Sequence, residues 1–347
     1  MSETRIIEAE AQSGEQLYRR SLAGLIALTF GLFLLSLIIG PAHLSPVEVF
    51  RALFTRDDTA SAVWLIVREI RLPRSILAVL VGGALGVSGA ALQGYLRNPL
   101  AEPGIIGASG GAALGAVLAF YFGLSYAIPF AVPFAGLLGA GAAVITVYLL
   151  AGHGSRPLTL ILAGVAISAF TAALTSLTLS LSPNPFAMSE VVFWLMGSLA
   201  DRSMNHVYLA APLILAGCAL LLTLGRAIDG LSLGEDVAAN LGVNLRRTQI
   251  LLILGIAMSV GAATAVAGAI AFVGLIAPHI LRPFTDGRPS RTLSLSFFGG
   301  ASLVIAADCL IRVITPEREL NLGVLTALLG APFFLVLILR MRGRDFA

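Results

Sequence analysis

The segment RNPLAEPGIIGASGGAALG, Arg97–Gly115, lies between two long apolar runs of the chain. Pro99 lacks a backbone N–H and disfavours the helical conformation at Asn98, so the first of these runs is expected to end here. Small residues recur at every fourth position on both sides of this break, at Gly82, Gly86, Ala90, Gly94, Gly107, Gly111 and Gly115. Such spacing lets helix backbones approach closely in lipid. The segment is therefore predicted to connect two closely packed membrane helices.

Composition places the chain among membrane proteins. Of its 347 residues, 57% are hydrophobic and only 12% are charged, whereas about a quarter of the residues in a soluble domain are charged. A bilayer core about 30 Å thick needs roughly 20 apolar residues per helix. Ten charge-poor runs approach this length: 22–40, 75–96, 105–122, 130–151, 158–181, 207–225, 248–267, 269–281, 292–314 and 322–341. We therefore predict an all-α polytopic membrane protein in which residues 21–347 form one bundle of about ten transmembrane helices. The eighth run is too short to span the bilayer unaided.

The distribution of charge gives an orientation. Residues 1–20 contain four glutamates and lack the layout of a signal peptide, so they are predicted to be a cytoplasmic tail. All 22 basic residues are arginine; if ten spans alternate from a cytoplasmic N-terminus, fourteen lie inside and eight outside. The outer ones are Arg51, Arg56, Arg68, Arg71, Arg74, Arg202, Arg312 and Arg318. This bias agrees with the positive-inside rule, places both termini in the cytoplasm and indicates no nucleic-acid partner.

Four of the outer arginines are concentrated at two helix ends: Arg68, Arg71 and Arg74 before the second run, and Arg312 at the end of the ninth. One interpretation is local neutralisation, because Glu69 is adjacent and Asp308 stands one helical turn before Arg312. The other is a ring of arginines that receives an acidic partner, since guanidinium groups hold carboxylates in a bidentate manner.

Hydroxyl residues form a stripe along the fifth run, at Ser168, Thr171, Thr175, Thr178 and Ser182. Their alternating spacing of three and four puts them on one helical face. Hydroxyls can bond to their own helix or to a neighbouring one, which would make the stripe a packing surface. Its length favours the alternative, in which it lines a water-filled translocation path.

Two polar connections are predicted to carry short surface helices. Inside the cell, Ser232 and Glu235 have the spacing of a capping box and Gly242 is a plausible stop. The resulting helix would expose Val237, Ala238 and Leu241 as a small apolar face, which suggests a docking partner. Outside, Ser45, Pro46 and Glu48 predict a surface helix that runs to about Phe54, and Ser189–Leu199 is a second candidate.

The sequence carries no indication of catalysis. It has no GxxxxGK[ST] loop and no lysine to grip a phosphate, so the chain is not expected to hydrolyse ATP itself. The four histidines lack paired spacing, and no metal site or cofactor is predicted. Asp308 is the clearest acid within a span, whereas ion-coupled carriers usually have several intramembrane ionisable groups. These absences favour a transporter that is driven from outside the bilayer.

The run RLPRSILAVLVGGALGVSGAALQGYLRNPLAEPGIIGASGGAALG, which begins at Arg71, resembles the FecCD family of ABC-importer permeases for vitamin B12, haem and ferric siderophores. The resemblance continues through LILAGVAIS, FWLMGSL, LGEDVAANLG, AGAIAFVGLIAPHILR and LGAPFF. It implies a type II ABC-importer permease fold in the bacterial inner membrane, surrounded by membrane lipid. The permease would be a homodimer that binds two ATPase subunits, which hold ATP and Mg²⁺, and a periplasmic binding protein.

The resemblance also assigns sites. It implies that Arg71, Arg74 and Arg312 dock the binding protein, and that residues 233–242 are the coupling helix. The coupling residues would be Leu233, Gly234, Glu235, Ala238, Leu241 and Gly242, with Glu235 mainly a cap, and the cytoplasmic gate would comprise Asn98, Leu100, Pro157 and Leu158.

The B12 permease has hydroxyl residues where Pro157 and Leu158 stand, so this gate is more apolar and compatible with a flat apolar ligand such as haem. The expected function is import of an iron chelate, haem or a ferric siderophore. Cobalamin is the alternative cargo, and an ion-coupled secondary carrier is the alternative class.

Overall fold

The computed structural model describes residues 2–55, 61–152, 157–182, 185–315 and 320–344, and every regular element in these ranges is a helix. The predicted outer arginines Arg56 and Arg318 lie outside the described residues. The helices are α1 Ser2–Ile38, α2 Pro46–Phe54, α3 Ala62–Leu65, α4 Leu72–Leu96, α5 Ala108–Tyr121, α6 Leu124–Ala127, α7 Ala131–Ala151, α8 Pro157–Ser180, α9 Pro185–Leu195, α10 Met204–Thr223, α11 Gly225–Ser232, α12 Glu235–Asn240, α13 Leu245–Ala267, α14 Val273–Leu281, α15 Pro289–Ile314 and α16 Leu322–Arg344. The predicted all-α fold is confirmed.

Each predicted run overlaps one helix, in the order α1, α4, α5, α7, α8, α10, α13, α14, α15 and α16, with different bounds at several ends. Within the described ranges, seven helical segments are long and apolar enough to cross a membrane: Gln12–Ile38, Ala62–Leu96, Ala131–Ala151, Leu158–Ser180, Met204–Thr223, Leu245–Ala267 and Pro289–Ile314. Of the other three helices, α5 has 14 residues and α14 has nine, and the apolar part of α16 is Leu322–Leu337. The nine residues of α14 extend only about 14 Å, so this helix cannot cross the hydrocarbon core alone, as its short run predicted.

The N-terminal segment belongs to the first helix. α1 begins at Ser2, so residues 2–20 continue the membrane helix without a break. Arg291 of α15 forms an ion pair with Glu15 and lies over the ring of Tyr18, at 5.1 Å from its centroid. The start of α1 is therefore fastened to the start of α15.

The core is built around α4, whose residues are almost all buried between α15, α10, α13 and α14. The close approach depends on glycine: a Cβ at Gly82 would overlap the carbonyl oxygen of Gly300 in α15. Between α5 and α7, a Cβ at Gly111 would overlap the carbonyl of Gly139 in the same way. The predicted small-residue faces of α4 and α5 are thus confirmed as packing surfaces.

A π-helical turn, Ile66–Arg71, joins α3 to α4 without interrupting the helix. Such a turn contains one residue more than the α-helical turn it replaces, and it is often found at functional sites. Here it lies where Arg68 and Arg71 leave the helix toward the ends of α2 and α1.

Candidate functional sites

The outer arginines mainly hold the ends of neighbouring helices. Arg71 is only 3% exposed. Its guanidinium donates to the carbonyl oxygens of Leu37 at 2.9 Å and Ile38 at 2.6 Å, and also to that of Ala42. These carbonyls belong to the last turn of α1 and the loop after it. The carbonyls at the end of a helix have no N–H partner within the helix, so the arginine supplies one.

Asp308 connects two further arginines at the same end of the bundle. The carboxylate accepts from Arg74 Nε at 2.9 Å and 3.2 Å, and it forms an ion pair with Arg312, one turn along α15. Arg312 also donates to the Ser36 carbonyl at 2.8 Å. One buried carboxylate therefore ties α4, α15 and α1 together, and the predicted pairing of Asp308 with Arg312 is confirmed.

Arg68 binds the end of α2, as Arg71 binds the end of α1. Its guanidinium donates to the carbonyls of Ala52, at 3.1 Å, and of Leu53, and it lies 5.7 Å from the ring centroid of Trp64. Glu69 is exposed and forms no ion pair with any described residue, so neutralisation by Glu69 stays a prediction.

The predicted docking arginines thus differ in how much they present to a partner. Arg71 and Arg312 are 3% and 8% exposed, and the side chain of Arg74 is 18% exposed. Docking by these three residues stays a prediction, and Arg74 is the most accessible of them.

The predicted gate joint begins with a helix stop. Arg97 adopts a left-handed conformation at φ +51°, and its N–H and that of Asn98 bond back to the last turn of α4. The Asn98 side chain then accepts the N–H of Leu100 at 2.9 Å, which fixes the loop locally. α8 begins at Pro157 and exposes Leu158, while the loop 153–156 before it lies outside the described residues.

Glu102 is a further residue of this joint, and no pattern in the sequence indicated its role. Its carboxylate accepts the backbone N–H of Phe272 at 2.8 Å, and Phe272 is the N-cap of α14. A carboxylate at a helix N-terminus accepts a backbone N–H that has no partner within the helix, and its negative charge is stabilised by the positive end of the helix dipole. The joint after α4 is therefore bonded directly to the short helix α14.

The hydroxyl stripe of α8 faces other helices. Thr171 and Thr175 are buried, and Thr171 packs against Gly110 of α5. Thr171 and Thr178 donate to carbonyls of their own helix, at 2.9 Å and 2.8 Å. These contacts support the packing interpretation, whereas lining of the path by Ser168, Thr171, Thr175, Thr178 and Ser182 stays a prediction.

The connection between α10 and α13, called here the cytoplasmic joint after its predicted location, contains the two short helices α11 and α12. The capping box predicted in it is wrong. Ser232 ends α11, and its hydroxyl donates to the Asp229 carbonyl at 2.6 Å. α12 begins at Glu235 with Gly234 as its N-cap, at φ +112°, so no side chain caps it. Because only glycine tolerates this backbone conformation, the helix start is set by Gly234 and not by a hydroxyl.

The predicted stop at Gly242 is confirmed. Its N–H bonds to the Ala239 carbonyl and the next N–H bonds to the Ala238 carbonyl, as in a Schellman turn. Ala238 was predicted to belong to the exposed apolar face. It is instead fully buried and packs near Gly230, so this part of the prediction is wrong. Leu233, Val237 and Leu241 are exposed and form that face.

Asp229 fastens the cytoplasmic joint to the core. Its carboxylate accepts the backbone N–H of Ser290, in the first turn of α15, at 2.8 Å. α11 also packs against α4. α11 therefore connects α12 to α15 and α4 through direct contacts.

The comparisons with known proteins agree with this architecture. A model of the FecCD transport family matches residues 27–340. The chain belongs to this family. As a FecCD protein it is a permease subunit of the ABC-transporter type.

Its relatives are permeases with several cargoes. The hemin transport system permease of Yersinia pestis is 38% identical over 91% of this chain and 96% of its own length. The Fe(3+) dicitrate permease of Escherichia coli is 39% identical over 86% and 93%, and the vitamin B12 permease of Vibrio vulnificus is 35% identical over 94% and 96%. A solved inward-facing structure of a metal-chelate type ABC transporter superposes with a TM-score of 0.82 at 32% identity, covering 93% of this chain and 99% of that one.

Proposed function

We propose that two copies of this FecCD chain form the membrane pathway of a bacterial importer for an iron chelate, haem or a ferric siderophore. Two separate ATPase subunits bind at the cytoplasmic joint and supply the ATP and Mg²⁺ chemistry. A periplasmic binding protein delivers the cargo at the outer face. The chain lies in the inner membrane with both termini in the cytoplasm.

The observation that carries the proposal is the construction of the cytoplasmic joint. Val237 of α12 is exposed together with Leu233 and Leu241, which flank this helix, and the buried side of α12 rests on α11 through Ala238. Because Asp229 bonds α11 to α15, the apolar face stands on a support that is continuous with the membrane core. An exposed apolar face on such a support is suited to receive force from a partner protein.

The partner can be tested by changing this face. We expect Leu241→Asp, at a leucine that is 66% exposed, to abolish co-purification of the ATPase subunit, because a carboxylate would enter an apolar contact. The matched control is Phe54→Asp on α2, where the side chain is 71% exposed at the other surface. Retention of the ATPase by the Leu241 variant would contradict the proposed contact.

The energy source separates the importer from an ion-coupled carrier. Asp308 is bound by Arg74 and Arg312 and does not offer a free intramembrane carboxylate. In proteoliposomes that contain the permease, the ATPase and the binding protein, uptake is expected to require ATP and to persist after ion gradients are abolished. Dependence on a proton or sodium gradient would refute the importer.

Docking of the binding protein is tested best at Arg74, because charge changes at Arg71 and Arg312 would also release α1 from its internal contacts. We expect Arg74→Gln to weaken binding-protein docking, whereas Arg51→Gln, at an exposed arginine of α2, should not. Equal docking by both variants would leave Arg74 as an ion-pair partner of Asp308 alone.

The cargo is proposed from the relatives, among which haem and ferric citrate permeases are 38% and 39% identical. Cobalamin is the second candidate, since a vitamin B12 permease is 35% identical. Affinity measurements on the cognate binding protein with haem, ferric citrate and cyanocobalamin will distinguish them.

A further inference from the structure

A second arginine site lies at the outer ends of α5, α7, α10 and α13, away from the cluster around Asp308. Here the described residues line an open cavity of about 250 Å³. Most of its walls are apolar or aromatic, and its lining includes Phe120, Ser125, Phe130, Trp194, Arg202 and His206. The cavity therefore combines an apolar body with a few polar groups, which is the usual composition of a small-molecule site.

Arg202 is the cation of this cavity. Its Nε is buried and has no hydrogen-bond acceptor in the described protein, and none of the ion pairs within the described ranges includes Arg202. Burial lowers the pKa of its guanidinium, and the adjacent Asp201 opposes this shift. A guanidinium still stays charged at neutral pH, so a buried N–H of a cation is left without a partner. Such a group costs free energy unless an acceptor reaches it.

Two further donors line the same cavity. The hydroxyl of Ser125 is buried and also lacks a partner among the described residues. The Nδ1 of His206 accepts the backbone N–H of Ser203 at 3.2 Å. In the neutral imidazole the proton is therefore on Nε2, which makes this atom a donor. Arg202, Ser125 and His206 thus bring donors to one space, and no carboxylate of a described residue lines it.

The loops that hold these residues are strained. Phe130 and Asp201, next to Ala131 and Arg202, adopt left-handed conformations at φ +62° and φ +56°. Non-glycine residues in this region carry a conformational cost and cluster at ligand-binding sites. The ring of His206 packs edge-on against Phe130 at 5.3 Å, which fixes the imidazole in place.

We propose that this cavity binds a carboxylate group of the transported chelate, with Arg202 as its principal partner and Ser125 and His206 as further donors. The guanidinium would supply charge-assisted hydrogen bonds to the carboxylate. The volume admits a molecule of about the size of citrate, or one carboxylate arm of a larger chelate. This inference rests on the proposed import function, since it names the class of cargo as carboxylate-bearing.

The site can be tested by binding to the full-length chain in lipid nanodiscs, without ATP or partner proteins. The chain has two tryptophans, so a Trp64→Phe background leaves Trp194, which lines the cavity, as the only tryptophan. Titration with citrate is expected to change Trp194 emission saturably. Arg202→Gln should raise the Kd for citrate about 10- to 100-fold, the usual effect of losing a hydrogen bond to a charged group. Ser125→Ala should raise it several-fold.

A control variant and a second anion test whether the effect is specific to the cavity and to carboxylates. Arg51→Gln removes an outer arginine outside the cavity and should leave the Kd unchanged. Inorganic phosphate should bind more weakly than citrate; equal or tighter binding of phosphate would overturn the carboxylate assignment. An unaltered Kd in both Arg202→Gln and Ser125→Ala, or no response of Trp194 to citrate, would overturn the site.

The binding result and the importer proposal can fail separately. Citrate binding needs neither ATP nor the ATPase, so its failure leaves ATP-driven uptake untouched. Conversely, saturable binding that is lost in Arg202→Gln would stand even if uptake proved to depend on an ion gradient.

Discussion

The arginine cluster around Asp308 and the isolated Arg202 both lie at the predicted outer end of the bundle and differ in what their guanidinium groups contact. Arg71, Arg74 and Arg312 donate to helix-end carbonyls or to one shared carboxylate. Arg312 Nε also lacks an acceptor among the described residues, but its two terminal nitrogens are bonded. Arg202 lines a cavity, and none of the hydrogen bonds or ion pairs among the described residues includes it. Buried polar groups are nearly always hydrogen-bonded. The difference teaches that the first group stabilises the fold, whereas the second retains binding capacity.

The largest effect is expected at the carboxylate shared by the cluster. Asp308→Asn leaves Arg74 and Arg312 buried without their counter-charge, and breaking a buried ion pair costs about 3–5 kcal/mol. We expect this loss in the free energy of unfolding, measured in mixed micelles. Glu69→Gln, at an exposed acid of the same region, is the control and should change it little. A loss below about 1 kcal/mol for Asp308→Asn would show that the cluster does not stabilise the fold.

A pair of matched variants compares the two regions directly. Arg312→Met removes charged hydrogen bonds to Ser36 and Asp308 and should lower the free energy of unfolding by about 2 kcal/mol or more. Arg202→Met removes a buried donor that has no described acceptor, so the same measurement should show no loss or a gain. Equal losses in both variants would mean that Arg202 is paired within the protein, contrary to the structure.

The smallest effect concerns α2, which Arg68 holds at one end and a capping box holds at the other. The Ser45 backbone N–H bonds to Glu48 and holds the pKa of that carboxyl below its ordinary value of 4.5. A lowered folded-state pKa means that the cap contributes fully above about pH 4.5 and is lost as the pH falls through the folded value.

Amide exchange in α2, corrected for intrinsic rates, should therefore accelerate on acidification below pH 4.5 in the wild type. Glu48→Gln serves as the control, because its α2 exchange should be insensitive to this change of pH. The same acid response in both proteins would exclude Glu48 as its origin.

Much of the fold followed from local patterns in the sequence. Ten apolar runs located ten helices, and Ser45, Pro46 and Glu48 located both the start and the cap of α2, because each pattern specifies backbone geometry within one turn. The spacing of Asp308 and Arg312 was sufficient to predict their ion pair. Gly82 and Gly111 were correctly assigned to helix contacts because small residues have few other uses at that spacing in lipid.

The remaining features depend on tertiary placement. The hydroxyl residues of α8 lie on one face of the helix, but their spacing does not determine whether that face contacts water or α5. Ser232 had the correct distance from Glu235 for a cap, yet the backbone at Gly234 starts the helix instead. Glu102 and Phe272 are 170 residues apart, so no local pattern links them.

Arg202 was identified only as one of the outer arginines, because its cavity is assembled from loops that are distant in sequence. Its neighbours Ser125 and Phe130 come from the connection between α5 and α7, and Trp194 comes from α9. The lack of a partner can be recognised only when all of these loops are in place.

The π-helical turn at Ile66–Arg71 contains one extra residue. The position of the helices before it therefore depends on the number of residues in this turn. Deletion of a single residue there would restore ordinary α-helical winding and rotate everything before it by about 100° around the axis. Arg68 would swing away from the carbonyls of α2, while Arg74, on the far side of the turn, would keep Asp308. A one-residue insertion or deletion could thus relocate an entire surface helix during divergence while the interior of the bundle stays intact.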